Sequence, residues 1–220
     1  EGSSQDSVSP TTASFVVTLD AVSGKEVTVT YATEDGTATE ADGDYTASSG
    51  TLTLAAGELT SSVDVSVGAD FHDEPDETFV LSVSAVTNAN ASVMSATATI
   101  ADDDEMPSLS IDNPTVTEDE LGFATLTFTL DAVSGRDVRV DYSTSDESAT
   151  APDDYTTTSG TLTLLAGETS GTISVPVVLD ALDEDDETFF VDLVNAVNAA
   201  VVTSQVTVTI TDDDPLPALS

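Results

Sequence analysis

Carboxylates crowd into one loop in each half of this sequence. In the second half they fill the stretch from Asp180 to Glu187, and in the first half they fill the stretch from Asp70 to Glu77. Two carboxylates about 4 Å apart repel each other by roughly 4 kcal/mol at an effective dielectric of about 20. Loops of this composition therefore need either a bound counter-charge or enough space for the charges to stay apart.

The available side chains favour calcium as that counter-charge. Calcium accepts about six to eight oxygen ligands with tolerant geometry, whereas magnesium demands a tighter octahedron. Zinc and copper favour His or Cys ligands. The sequence has no Cys and a single histidine, His72, whose place in the second half is taken by Leu182. We interpret His72 as an incidental loop residue. The lack of Cys also excludes disulfides, thiolate metal sites and cysteine nucleophiles.

The charge balance restricts the partners of the chain. Its 220 residues contain 42 acidic and 3 basic side chains, which give a formal net charge of -39. Nucleic acid and anionic membrane surfaces both require a basic surface, so direct binding to either is excluded. A solvated, self-repelling surface that serves only solubility is the alternative explanation of such acidity. The choice depends on whether the carboxylates converge in the fold.

The chain consists of two copies of one sequence unit. Tyr45 recurs as Tyr155, 110 residues later, and the same offset carries the triplet 102–104 onto 212–214. Residues 216–220 in turn match 106–110, where the second copy begins. This phase predicts a first domain over 1–105 that lacks its first strand, a second domain over 106–214, and the start of a third repeat at 215–220.

Short runs of alternating apolar and polar residues predict the secondary structure. In 27–31 and 138–142, for example, Val and Tyr alternate with Thr, Arg and Asp. About seven such runs per copy, bounded by Gly, Asp, Asn or Ser, indicate half-buried strands, and no stretch shows a long helical period. The sequence therefore predicts an all-β protein of two tandem antiparallel, immunoglobulin-like Greek-key β-sandwiches with about seven strands each.

This architecture would bring separate acidic segments together. In each copy the acidic loop, an Asp-Tyr turn and the aspartate triplet all lie at strand ends. If the strands run up and down, these segments meet at one end of each sandwich. The residues concerned are Asp44, Asp70 and Asp102 in the first copy, and Asp154, Asp180 and Asp212 in the second.

The ordered set of motifs resembles the Calx-beta family, the calcium-binding sandwich of sodium/calcium exchangers, integrin beta subunits and large bacterial surface proteins. The segments 33–38, 44–45, 49–52, 57–58, 70–79 and 100–104 carry the resemblance. It implies more than one Ca²⁺ per domain, bound at one end of each sandwich. The ligands that it implies are Glu1, Asp44, Asp70, Glu74, Glu77, Asp102, Asp103 and Asp104 in the first copy, and Glu118, Asp154, Asp180, Glu184, Glu187, Asp212, Asp213 and Asp214 in the second.

We therefore predict a calcium-binding repeat pair from a longer secreted or cell-surface protein of bacterial origin. Calcium would stiffen each domain end and the junction between the domains, in an adhesion or stalk role. The expected partners are calcium ions, neighbouring repeats, and a cell-surface protein or glycan. The alternative is a cytosolic-type calcium sensor module that regulates a membrane transporter. No enzymatic activity is expected, because no His or Cys completes a nucleophilic triad.

Overall fold

A computed structural model describes residues 11–70, 72–118 and 122–219, and its regular secondary structure is entirely β-strand. The chain divides into two compact units, one of residues 1–71 with 75–103 and the other of residues 72–74 with 104–220. A search of the described residues finds no helix of the length and apolarity that a membrane crossing requires. The all-β class that the alternating pattern predicts is confirmed.

Within the described residues, the first unit contains six strands in two sheets. The strands are β1 (Thr11–Thr18), β2 (Val27–Asp35), β3 (Ser49–Leu54), β4 (Thr60–Val67), β5 (Glu77–Thr87) and β6 (Ser95–Ile100). β1 and β4 form one antiparallel pair, in register from Thr11 opposite Val67 to Thr18 opposite Thr60. The other sheet has the order β3-β2-β5-β6.

The part of the second unit that the structure describes contains nine strands. They are β7 (Ser108–Ile111), β8 (Thr115–Thr117), β9 (Phe123–Leu130), β10 (Val138–Asp146), β11 (Ser159–Leu164), β12 (Ser170–Pro176), β13 (Glu187–Val197), β14 (Ala200–Val201) and β15 (Gln205–Thr211). One sheet has the order β11-β10-β13-β15-β8, and the other has the order β12-β9-β7-β14. The short strands β8 and β14 pair parallel to β15 and β7, unlike the other, antiparallel pairs.

Side-chain alternation accounts for both the strands and the core. Along β9, for example, Ala124, Leu126, Phe128 and Leu130 are buried while Thr125 and Thr129 are exposed. A pleated strand places successive side chains on opposite faces, so one face of each sheet supplies the apolar interior. The core of the second unit is a single cluster to which both of its sheets contribute.

Candidate metal centre

An aromatic pair inside each sandwich positions the first two carboxylates of the candidate site. In the second unit the ring of Tyr155 stacks on Phe189 with a centroid separation of 4.3 Å. Both residues are buried. Asp154 immediately precedes the tyrosine, and Glu187 lies two residues before the phenylalanine. Because the rings are held in the core, the two carboxylates emerge side by side at the end of the sandwich.

Hydrogen bonds hold the Asp-Tyr turn in place. The hydroxyl of Tyr155 donates to Oδ1 of Asp146 over 2.5 Å, and burial with this bond raises the pKa of the tyrosine to about 12. The backbone N–H of Thr150 donates to Oδ2 of Asp154 over 2.6 Å. The N–H of Val178 donates to the carbonyl of Asp154 over 2.9 Å. The last of these bonds joins the turn to the strand exit that leads to Asp180.

Three further carboxylates converge on the same end of the second unit. The N–H of Glu118 donates to the carbonyl of Thr211 over 3.1 Å, which places the residue after β8 beside the exit of β15. Carboxylate oxygens of Glu118, Asp212 and Asp214 lie within 4.8 Å of one another. Burial alternates along the triplet, because Asp212 and Asp214 are half-buried whereas Asp213 is exposed. The structure therefore brings the outer two aspartates to the cluster.

Two oxygens of this group are buried without a hydrogen-bond partner. They are Oε2 of Glu118 and Oδ2 of Asp214. A buried, unpaired carboxylate oxygen costs free energy because it loses its water without replacement. Native proteins satisfy such groups by a protein partner, a water or an ion. The two oxygens therefore indicate a missing partner at this position.

The raised pKa values of two carboxyl groups in the cluster also indicate a missing partner. Burial, and then the negative charges of Asp180, Glu184 and other neighbours, raise the pKa of Glu118 to about 7. Burial and the adjacent Asp154 raise the pKa of Glu187 as well. Raised values mean that the ion-free site disfavours full ionisation. A bound cation would remove this penalty and restore the carboxylate form.

The donor set fits calcium. Every candidate ligand of the second unit is a carboxylate, and hard oxygen donors of this kind suit Ca²⁺ rather than zinc or copper. Glu118 also interacts electrostatically with four other predicted ligands, because their negative charges help to raise its pKa. These four are Asp154, Asp180, Glu184 and Asp212.

The first unit repeats part of this arrangement. Tyr45 stacks on Phe79 at 4.4 Å, and oxygens of Asp44 and Glu77 lie within 4.8 Å of each other. Asp102 and Asp104 are half-buried while Asp103 is exposed, the same alternation as in the second triplet. Of the other predicted ligands, Asp70 is exposed, Glu74 belongs to the segment 72–74 that groups with the second unit, and Glu1 lies outside the described residues.

Sequence reasoning missed two pairs of supporting carboxylates. Asp146 and Asp35 accept the hydroxyl hydrogen bonds of the two core tyrosines. Asp186 accepts from the N–H of Asp212 over 3.3 Å, and Asp76 accepts from the N–H of Asp102 over 3.1 Å. Their recurrence at matching positions in both copies was the available signal. The hydrogen-bond partners of these four aspartates depend on loop geometry, which the sequence pattern does not show.

The fold and site define a class of protein, a tandem immunoglobulin-like sandwich with a carboxylate cluster at the end of each domain. The Calx-beta domain family matches residues 4–104 and again 102–214. The chain therefore belongs to the Calx-beta family, and the resemblance inferred from the motifs is confirmed.

Individual proteins are also similar to this chain, either over a short segment or at low sequence identity. A segment of 56 residues is 50% identical to sodium/calcium exchanger 3 of Homo sapiens, and the Rattus norvegicus exchanger 3 matches equally. The alignment spans 26% of this chain and only 6% of each exchanger. The apo-form Calx CBD1 domain matches with a TM-score of 0.47 and 26% identity, covering 50% of this chain and 100% of that chain. CBD12 from CALX1.2 matches with a TM-score of 0.43 and 20% identity, covering 90% and 92%.

These relatives overturn one prediction from the sequence. We predicted a secreted or cell-surface location, and the similarity to sodium/calcium exchangers contradicts it. The bacterial origin stays a prediction. The predicted location was wrong because it was inferred from the low basic content and the absence of Cys. These features bear on solubility and redox chemistry, and they do not determine where a protein is located. Calx-beta domains are not enzymes. Lack of activity in this particular chain stays a prediction.

Proposed function

We propose that each repeat binds calcium at its acidic end and that the ions act as structural ligands of the loops. The two buried, unpartnered oxygens of Glu118 and Asp214 carry this proposal. The proposed ligands are Glu1, Asp44, Asp70, Glu74, Glu77, Asp102 and Asp104 in the first repeat, and Glu118, Asp154, Asp180, Glu184, Glu187, Asp212 and Asp214 in the second. Asp103 and Asp213, which the sequence also predicts as ligands, are exposed and are left out of the proposed set.

More than one ion per domain is part of the proposal. In the second repeat Glu118, Asp212 and Asp214 form one close group, while Glu187 hydrogen-bonds to Asp154 in another. One Ca²⁺ needs about six to eight oxygens. Seven carboxylates supply up to about fourteen oxygens, roughly enough for two such ions with help from water and backbone carbonyls.

Calcium would stabilise the folded repeat by two routes. Binding to the native state alone shifts the folding equilibrium by mass action. The ion also removes the mutual repulsion that the ion-free cluster carries, because it supplies the missing counter-charge. A melting temperature that rises with added calcium is the expected result, and one that ignores calcium would contradict the proposal.

A calorimetric titration with calcium tests the ligand assignment. Asp212→Asn removes a charge from the close group, and we expect a loss of at least about tenfold in affinity at the second repeat. Asp213→Asn is the matched control, because Asp213 is the exposed neighbour of the same triplet. Equal affinities for the two variants would reject the alternating arrangement. Absence of binding in the unaltered chain would reject the function.

The junction between the repeats is a second element of the proposal. The aspartate triplet 102–104 precedes the second domain by only a few residues, so calcium bound there would restrict the connecting segment. Asp119 and Glu120 of the second domain are two carboxylates that would add ligands at this junction, and both lie outside the described residues. Small-angle scattering with calcium and with chelator checks this idea. We expect a longer maximum dimension with calcium, and an unchanged value would reject it.

The biological role that these features support best is calcium-dependent regulation. The similarity to sodium/calcium exchanger 3 favours a regulatory module. Such a module would become stiffer when calcium binds, and this change would regulate a larger protein. An adhesion or stalk role, with a protein or glycan partner, stays a prediction without a supporting match. Insertion of the repeat pair into a transporter that lacks its own module would separate the two, because only a regulator makes transport respond to calcium through these ligands.

A further inference from the structure

Two strands near the two ends of the second repeat, β8 and β15, lie side by side and run parallel. Thr115 pairs with Thr209, and Thr117 pairs with Thr211. Because the strands are parallel, the chain enters β8 at one end of the pair and leaves β15 at the other. A pull on the chain before β8 and after β15 therefore slides the two strands past each other, and it loads all the bonds between them together.

Hydrogen bonds join β8 to β15 over the whole length of β8. The N–H of Thr209 donates to the carbonyl of Pro114 over 3.1 Å, and the N–H of Glu118 donates to the carbonyl of Thr211 over 3.1 Å. The hydroxyl of Thr211 also donates to the carbonyl of Val116 over 3.2 Å. Residues 114, 116 and 118 therefore face β15, because backbone groups of alternate residues point to the same side of a strand. β8 is the edge strand of its sheet.

The segment before β8 is anchored separately. Strand β7 pairs with β9 in the other sheet through three register positions. The chain then crosses between the sheets through Asp112 and Asn113. Their side chains accept hydrogen bonds from the N–H groups of Thr127 (2.8 Å) and Thr207 (3.2 Å). Loss of β7 under tension would leave β8 paired with β15, because the two pairs belong to different sheets.

The candidate metal group lies across the same two strands. Glu118 directly follows β8, Asp212 directly follows β15, and oxygens of both lie within 4.8 Å of Asp214. The two buried oxygens without a hydrogen-bond partner belong to Glu118 on one side and Asp214 on the other. An ion bound by both residues would connect the chain that leaves β15 to the end of β8. Such a connection directly opposes the sliding of the strands.

We propose that β8 and β15 form a load-bearing clamp in the second repeat, and that calcium bound between Glu118 and the two aspartates fastens this clamp. The first part depends only on the backbone bonds, whereas the fastening rests on the calcium binding proposed above. The repeat then transmits tension along the chain, and calcium slows its unfolding under tension. Forced unfolding follows the unfolding rate, so this property is distinct from a rise in melting temperature.

Single-molecule force spectroscopy of the full chain tests the clamp without altering it. The chain has no Cys, so Glu105→Cys and Leu216→Cys place two handles just outside the second repeat, at exposed positions. Unfolding between them releases about 110 residues, or about 360 to 400 Å of chain. A second molecule carries Ala132→Cys and Leu165→Cys, in exposed turns that follow β9 and β11.

The second pair of handles pulls on β9 and β11 and leaves β8 and β15 outside the path of the force. We expect the ion-free repeat to unfold at a higher force in the first geometry than in the second. An equal or lower force in the first geometry would overturn the clamp. Neither pair of handles changes a residue of β8 or β15, so a folding defect of the clamp cannot imitate this result.

Proline substitutions locate the clamp within β8. Val116→Pro removes the N–H of a residue that faces β15. Thr115→Pro is the matched control, because the N–H of Thr115 points away from β15. In the first geometry we expect the unfolding rate at a given force to rise about two- to tenfold for Val116→Pro, the effect of one lost hydrogen bond, and to change little for Thr115→Pro. Equal rates for the two variants would overturn the clamp, and if Val116→Pro does not fold, the comparison of geometries decides.

A calcium titration separates the fastening from general stabilisation. With calorimetry confirming saturation, calcium should shift the unfolding force of the first geometry upward. Glu118→Gln should lose this shift. Glu184→Gln is the matched control and should keep it, because Glu184 is a proposed ligand of the same repeat in an exposed loop outside the clamp. Calcium that binds without raising the force, or raises it equally in both variants, would overturn the fastening and leave calcium binding intact. Absence of binding would reject the proposed function and the fastening together, while the ion-free comparison of geometries still decides the clamp.

Discussion

The two repeats share one pattern of alternating residues but differ in how completely the pattern is buried. Leu130 is 4% exposed, whereas Leu19 at the matching position is only half-buried. The difference follows from β7, which covers β9 and has no counterpart over β1 among the described residues. The alternation of apolar residues thus determines which face of a strand is apolar. Whether that face is buried depends on a separate covering segment such as β7.

The acidic end of the second repeat also depends on the segment that precedes β9. In the second repeat Glu118, at the end of β8, completes a group of three with Asp212 and Asp214. In the first repeat the aligned residue Glu1 lies outside the described part of the chain. The comparison teaches that the segment preceding β9 contributes both to the core and to the candidate calcium site.

The largest expected contrast comes from truncating the same residue in both repeats. Leu130→Ala should cost about 2 to 5 kcal/mol, the usual range for a buried leucine. Leu19→Ala should cost about half as much, because part of its side chain is already in water. Urea-dependent hydrogen exchange of β9 and β1, read by mass spectrometry at low protein concentration, measures both. Equal losses would contradict the difference in burial.

The next contrast is the pH dependence of the second repeat. Glu118 has a folded pKa of about 7 against an ordinary value of 4.5. Because the folded value is raised, this residue's contribution to ion-free stability is complete below about pH 4.5 and is lost as the pH rises through about 7. Calcium competes with the proton, so its affinity should rise over the same interval.

Calorimetry in buffers of different ionisation heat checks this coupling. Calcium should release protons from the second repeat near pH 6, and Glu118→Gln should reduce the number released. Asp213→Asn should leave it unchanged. Proton release that is the same at pH 6 and pH 8 would contradict the raised pKa.

A smaller and equal effect is expected from the two core tyrosines. Tyr155→Phe and Tyr45→Phe each remove a hydroxyl that donates to an aspartate. The two aspartates that accept these hydrogen bonds are exposed, so water can replace the lost hydroxyl and the expected loss of stability is small. Thermal unfolding should show matching losses in the two repeats. A large difference would mean that the turns are not equivalent.

The smallest effect concerns the exit of the last strand. Asp186→Ala and Asp76→Ala each remove a hydrogen bond to a backbone N–H at the surface. We expect losses below about 1 kcal/mol in both repeats, since both bonds are exposed to water. Thermal unfolding of the ion-free chain measures them. A loss of several kcal/mol in either repeat would show that this bond holds the exit strand itself.

The longer strands could be predicted from the sequence because their alternation has a strict period of two. The strands β8 and β14 could not, since two or three residues carry no measurable period and their parallel partners are distant in the chain. The convergence of Asp154 and Glu187 follows from an Asp-Tyr turn and a Glu-Thr-Phe strand start, which the repeat displays. The stacking of Tyr155 on Phe189, which brings the two carboxylates together, depends on side-chain packing. The spacing of residues in the sequence does not show such packing.

The alternation within the aspartate triplets also lay beyond the sequence. Three consecutive aspartates suggest three equal ligands, and all three were predicted as such. The structure keeps Asp212 and Asp214 half-buried and leaves Asp213 exposed. An extended chain turns successive side chains to opposite sides, and only the position of Glu118 shows which side faces the cluster.

A crystal structure of the chain grown with calcium tests the central claim most directly. The account predicts an ion about 2.3 to 2.6 Å from Oε2 of Glu118 and Oδ2 of Asp214, the range of calcium–oxygen bonds. Asp213 should remain outside its coordination. Density for water or for protein donors at these two oxygens, with no calcium between them, would contradict the account.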